Sequence, residues 1–189
     1  MSLSAQTTPQ EWVSALNTTL GQRYAYGITV QVGTGNEQNT LRGTLKVEGD
    51  AYYMMLGTME VYSDGKLRYE INNERKEVTE DRVNLKSRDL LTNPTRAFSF
   101  VDDEFSMKMR SAMEQGSVYI DLVPRNDIGI TTITLALKRN GSRVEPMAIT
   151  YNYDGDVITI LMHAMDSVKW SLPRWNKASY AAYDIVSFL

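Results

Sequence analysis

His163 is the chain's only histidine, and there is no cysteine, so most routes to nucleophilic or metal chemistry close at once. A thiol nucleophile, a disulfide and a cysteine-based metal site are excluded outright. His163 stands between Met162 and Ala164. Neither neighbour is acidic, so it reads as a packed or surface residue rather than a base. Asp102-Asp103-Glu104 offers carboxylates to a cation but lacks the Gly and distal Glu of a calcium loop, and neighbouring carboxylates are ordinarily solvated. "GTGNEQ", residues 33–38, lacks the final Gly of a dinucleotide fingerprint and joins two strand-like segments instead of opening a helix.

Ser63-Asp64-Gly65-Lys66, at the centre of "VYSDGKLRYEI", sets an acid and a base astride a glycine, as an anion-binding or catalytic loop would. Apolar and polar residues alternate on both sides of it, which makes it a hairpin turn. Asp154-Gly155, with Asp156 beyond it, is explained the same way. Trp170, Trp175, Tyr180 and Tyr183 form an aromatic tail that can stack on a sugar or, more commonly, pack over the edge of a sheet. Arg174 and Lys177 beside them suit a solvated rim or lipid headgroups. No catalytic set, cofactor or metal site is expected.

One helix is strongly signalled. Thr8-Pro9-Gln10-Glu11 is a capping box with Pro at the first helical position; Trp12, Val13, Ala15, Leu16 and Leu20 recur at helical spacing, and Gly21 stops them. The period then changes to two. Tyr24, Tyr26, Ile28, Val30 and Val32 alternate with smaller or polar residues, and Leu41, Leu45 and Val47 alternate with Arg42, Thr44, Lys46 and Glu48. "AYYMMLGTMEVY" (51–62) reads as one strand apolar on both faces, followed by Leu67, Tyr69 and Ile71, with Lys66, Arg68 and Glu70 on the other side. Residues 83–101 read as short helices or irregular cover around Pro94, and strands resume through Met107, Ile120, Leu135, Ile149 and Leu161.

Turns between alternating strands describe an antiparallel meander. The expected class is mainly β (α+β): a curved antiparallel sheet forming an incomplete barrel, covered by the N-terminal helix and short lid helices. The chain has 189 residues, 42% of them hydrophobic and 23% charged, and suits one domain over 7–189 after a leader or disordered start at 1–6. A net charge of -3 argues against a nucleic-acid partner. No apolar run reaches the length of a membrane-spanning helix. "MSLSAQTTPQ" lacks the basic and apolar regions of a signal peptide, while Ser4-Ala5-Gln6 looks like the neighbourhood of a cleavage site. The expectation is a mature exported protein behind a short added leader at 1–3.

A concave apolar surface without chemistry suggests binding something greasy. The residues expected to line it are Trp12 and Leu16 of the helix, then Ile28, Val30, Leu45 and Val47. Tyr53, Met55, Val61 and Tyr69 follow around the Ser-Asp-Gly-Lys turn, and Met107, Met109, Ile120, Leu135, Met147, Ile149 and Tyr151 come from the later strands. The chain's ten methionines, Met54, Met59, Met113, Met162 and Met165 among them, are core filling or an adaptable cavity lining.

The order of elements resembles the LolA-like outer-membrane lipoprotein carrier family, as a divergent member. "EWVSALNTTLGQRYAYGITVQV" is similar to the family's opening helix and first strand, and "LRGTLKVEGDAYYMML" to its second and third strands. "YSDGKLRYEI" resembles the strand ending in Ser-Asp-Gly-Lys before an aromatic strand, with Tyr69 on the first aromatic position and Ile71 on the second. Asn93-Pro94 resembles the start of a short helix in relatives, "SVYIDLVPRN" and "MAITYNYDGDVITILM" the later strands, and "SYAAYDIVSFL" the closing one. The resemblance implies a periplasmic monomer that takes lipoprotein acyl chains, or other lipid, from an inner-membrane donor complex to an outer-membrane acceptor by burial and release. Where relatives carry an Arg-Pro pair that holds the lid, this chain reads Glu48-Gly49, and Arg42 and Lys46 are out of register. The alternatives are a lipoprotein-sensing regulator on the same fold, which needs a protein partner, and a glycan-binding module resting on Trp170 and Trp175.

Overall fold

The protein is described from a computed structural model, over residues 7–34, 37–100, 103–111, 114–165 and 169–189. The helix α1 (Pro9–Leu20) forms where the capping box requires it: the Thr8 hydroxyl accepts from Glu11 N (3.2 Å) and the Glu11 carboxylate from Thr8 N (2.7 Å). The strands follow as β1 (Arg23–Thr34), β2 (Glu37–Glu48), β3 (Ala51–Leu56), β4 (Met59–Ser63), β5 (Leu67–Asn72) and β6 (Glu77–Arg82). A single 3-10 turn, Pro94–Arg96, interrupts the irregular segment after β6. Then come β7 (Phe105–Ser111), β8 (Ser117–Pro124), β9 (Thr132–Asn140), β10 (Arg143–Asn152), β11 (Asp156–Ala164) and β12 (Asp184–Ser187).

The strands form one sheet in the order β12-β6-β5-β4-β3-β2-β1-β11-β10-β9-β8-β7. Its two end strands, β12 and β7, do not pair with each other, so the sheet is open, and the class is mainly β as expected. The chain gathers into two compact units, one of Met1–Gly21, Val30–Asn39 and Ser99–Met162, the other of Gln22–Thr29, Thr40–Phe98 and His163–Leu189. In the first, α1 packs against β10 and β7. It buries Trp12, Val13, Leu16 and Leu20, each such aliphatic contributing about 1.5–3 kcal/mol when fully covered. In the second, the segment after β6 packs on β3 and buries Leu90, Asn93, Ala97 and Phe98.

Three expectations need correction, and one strand goes unread. Residues 51–62 are a hairpin, not one strand: Gly57-Thr58 turns β3 back along β4, with Met54 opposite Val61 and Tyr53 opposite Tyr62. β6 has no signal in the sequence, because Val78 is the only apolar residue in EVTEDR. The meander is not wholly antiparallel, since β12 runs parallel to β6, Ile185 beside Val78. Met147 sits at a register shift in β10 between Pro146 and Ala148, which turns it out of line with Ile149 and Tyr151. Asp102, Met113, the leader at 1–6 and the middle of the turn at 33–39 lie outside the described residues.

Ser63-Asp64-Gly65-Lys66 is the turn between β4 and β5. Asp64 Oδ1 accepts from Lys66 N (2.8 Å) and Leu67 N (2.9 Å), and Ser63 Oγ from Gly65 N (3.0 Å). The backbone donors of Leu67 and then Lys66 hold the Asp64 carboxyl below its ordinary pKa. Gly65 has φ +93°, and a Cβ there would lie 2.7 Å from Asp50 Cβ, so only glycine fits without strain. The acid of this motif is spent on backbone geometry.

Candidate functional site

The hairpin at Gly57-Thr58 decides which residues face which way in the second unit. Pairing across β2 to β5 puts Leu45 and Val47, Tyr52 and Met54, Val61 and Ser63, and Arg68 and Glu70 on one face. The opposite face carries Lys46, Tyr53 and Met55, Glu60 and Tyr62, Tyr69 and Ile71. Of the candidates drawn from the sequence, Leu45, Val47 and Val61 therefore share a face, while Tyr53, Met55 and Tyr69 lie on the other. Tyr52 and Met54 belong with the first group and are absent from the sequence candidates, because a continuous strand through 51–62 gives them the wrong parity.

The first face is apolar and covered. Leu45, Val47, Tyr52, Met54 and Val61 are all buried, beneath the irregular segment that follows β6. The cover is tied down by hydroxyl-to-carbonyl bonds: Tyr52 donates to Thr92 O (3.2 Å) and Tyr24 to Pro94 O (3.0 Å). Within the cover, Asn93 donates to Asn84 O (3.1 Å) and Thr95 to Asn93 Oδ1 (2.8 Å). Burial pushes the Tyr52 phenol up in pKa, and the Arg68 charge beside it pulls the other way. Towards β5 the face turns polar: Arg68 pairs with Glu70 at 2.8 Å, and Arg88 of the cover is only 7% exposed. Alternation with Tyr69 places Arg68 among the solvated residues, a rule that fails where the covered face itself is polar.

In the first unit the remaining candidates come together under α1. Cross-strand pairing aligns Met109, Ile120, Leu135 and Ile149 in one row and Met107, Leu122, Ile133 and Tyr151 in the next. Ile120, Leu135, Ile149 and Tyr151 have no exposed surface, Met107 and Met109 on β7 are half-buried, and Met147 is 37% exposed. The Arg139 guanidinium lies 4.6 Å over the Trp12 ring, and Thr19 Oγ1 accepts from Val144 N (3.1 Å), which fixes the helix on β10. Ile28 and Val30, on one face of β1, are each buried, Ile28 in the second unit and Val30 in the first.

The aromatic tail is engaged with its own chain. Trp175 lies parallel to Tyr69 at 4.5 Å and to Tyr180 at 5.0 Å, and Arg23 sits 3.8 Å over the Trp170 ring while donating to Trp170 O (2.5 Å). Tyr53 and Tyr62 both donate to Glu60, and Tyr62 meets Tyr180 at 3.0 Å. Burial, first of all, pushes the Tyr62 phenol well above its ordinary pKa. The tail thus straps the face bearing Tyr53, Tyr62 and Tyr69, with the Trp175 indole stacked on two tyrosines and the Trp170 ring against Arg23. Arg174 pairs with Glu48 (3.2 Å), as does Arg23 (2.9 Å), so Glu48 is a doubly paired carboxylate. His163 Nε2 is 3.0 Å from Thr29 Oγ1. Among the described residues no group of three or more metal-ligating side chains assembles, and no helix is long and apolar enough to cross a membrane.

No family model matches the chain, and no curated protein matches it in sequence. Solved structures do. The fold is similar to that of an uncharacterized conserved protein from Thermus thermophilus, 11% identical, with a TM-score of 0.54 over 94% of this chain and 98% of that one. The chain is also similar to a LolA superfamily protein from Nitrosomonas europaea (9% identity, TM-score 0.45, 93% and 98% covered). A third neighbour is the lipoprotein LppX of Mycobacterium tuberculosis (6% identity, TM-score 0.46, 86% and 100% covered). At 11% identity, what the chain shares with the Thermus protein is the fold.

Proposed function

We propose that the chain is an extracytoplasmic, periplasmic carrier that binds acyl chains of lipoproteins or other lipids without covalent chemistry and delivers them toward the outer membrane. The observation that carries this reading is the cover on the second unit. The apolar face of Leu45, Val47, Tyr52, Met54 and Val61 is roofed by a segment with one 3-10 turn, tied to it by two tyrosine hydroxyls. Such bonds contribute about 0.5–1.5 kcal/mol each, and the larger cost of lifting the roof is the apolar surface it uncovers. An acyl chain then regains the apolar contact at about 0.8 kcal/mol per buried CH2. The resemblance to lipoprotein carriers supplies the cargo class.

Native mass spectrometry of protein purified without detergent tests it: co-purified lipid, or a saturable adduct with a fluorescent fatty-acyl probe, is expected, and a protein that shows neither is not a carrier. Tyr52→Phe removes the bond to Thr92 O while keeping the ring. It is expected to speed probe uptake about fivefold, corresponding to roughly 1 kcal/mol less hold on the cover. Unchanged uptake kinetics would show that this bond does not hold the cover.

A further inference from the structure

The covered face of the second unit carries more positive charge than an apolar site needs. Arg68 lies directly across from Ser63, and the neighbouring Tyr52 reaches Thr92 O of the cover at 3.2 Å. Four residues beyond Thr92, Arg96 ends the 3-10 turn whose Pro94 carbonyl accepts from Tyr24. Arg68 thus lies beside Tyr52 at the contact between β3 and the cover, and Arg96 belongs to the cover itself. The Nε atoms of Arg68 and Arg96 are buried, and neither has a hydrogen-bond partner among the described residues. A buried guanidinium donor left unmade is costly and points to an acceptor that arrives from outside.

The acidic groups of these elements do not supply that acceptor. Glu70 pairs with Arg68 Nη1 at 2.8 Å and leaves Nε free. Asp81, opposite Arg68 on β6, is exposed, and Asp89 Oδ1 accepts from Leu91 N at 2.7 Å. We propose that Arg68 and Arg96 form the headgroup end of the site and bind the phosphate or carboxylate of an anionic lipid whose acyl chains lie on the apolar part of the same face. The planar guanidinium suits both anions, because it can present parallel donors to two oxygens. The inference rests on acyl binding at this face.

The test compares palmitoyl lysophosphatidate with monopalmitoylglycerol, which shares its chain and lacks its charge, in competition with a fluorescent acyl probe. Glycerol 3-phosphate serves as the anion without a chain. The wild-type protein is expected to prefer the lysophosphatidate about tenfold or more. Arg96→Gln should bring the two lipids to equal affinity, and Arg96→Lys should restore part of the preference. Melting curves that match the wild type exclude a folding defect in either variant. Equal affinity for the two lipids in the wild type overturns the headgroup inference and leaves acyl binding standing. Competition by glycerol 3-phosphate as strong as by the lysophosphatidate identifies a free-anion site and also overturns it. Uptake of neither lipid overturns the acyl reading, and this inference with it.

Discussion

Met54→Asp is expected to destabilise the protein by about 3 kcal/mol or more and to abolish acyl-probe uptake, while Met55→Asp changes stability by no more than about 1 kcal/mol and leaves uptake close to normal. The residues are neighbours of the same type, so the contrast isolates the face. Met54 is 4% exposed, opposite Leu45 on one side and Val61 on the other, beneath the cover. A carboxylate there loses its water and gains no partner. Met55 is 39% exposed on the other face, across from Glu60, where a second carboxylate is only mildly unfavourable. Denaturant midpoints and probe titrations on both variants check this. Equal costs, or the larger cost at Met55, would mean that the face assignment is inverted.

Gly43→Ala is expected to cost about 3 kcal/mol, at the upper end for overpacking, even though β2 is an ordinary strand by its backbone bonding. A Cβ at Gly43 would stand 1.8 Å from the Met55 carbonyl oxygen, 2.8 Å from Met55 C and 3.0 Å from Leu56 Cα. These are backbone atoms of β3, so no side-chain rotation relieves the contact, and the two strands must part where they present Leu45 and Met54. Gly27→Ala is the control. Its nearest neighbour would be His163 Cβ at 3.6 Å, an ordinary contact, and its cost should stay within about 1 kcal/mol. Thermal melts of the pair decide the matter: a Gly43→Ala protein as stable as Gly27→Ala would show that β2 and β3 are not so closely apposed.

These two results also mark what is legible in the sequence. The helix can be read because Thr8, Pro9 and Glu11 are local instructions that need no tertiary context, and its buried stripe follows from spacing alone. The turns at Ser63–Lys66 and Asp154-Gly155 can be read for the same reason. Gly57-Thr58 cannot, since apolar residues run through it on both sides and no Asn, Asp or Pro marks it. That one hidden hairpin reverses parity, which is why Tyr53, Met55 and Tyr69 are grouped by spacing with Val61 although they face the tail. β6 escapes because a strand near the sheet's edge needs little apolar content, and Val78 alone is buried there. Arg68 and Arg96 are invisible as site residues, because charged residues are read from sequence as solvated, whereas their Nε atoms are buried. The tail's aromatics are evident as residues, but their stacking on Tyr69 and Tyr62 depends on pairing that sequence spacing does not encode.

The claim that acyl chains enter beneath the cover can be tested by tethering it. The chain has no cysteine, so cysteines placed at Tyr52 and Thr92 can be joined uniquely by a short cleavable bis-thiol reagent. Uptake of a fluorescent acyl probe is expected to stop when the tether closes and to return when it is cleaved. Uptake that continues at the same rate with the tether intact would contradict the account.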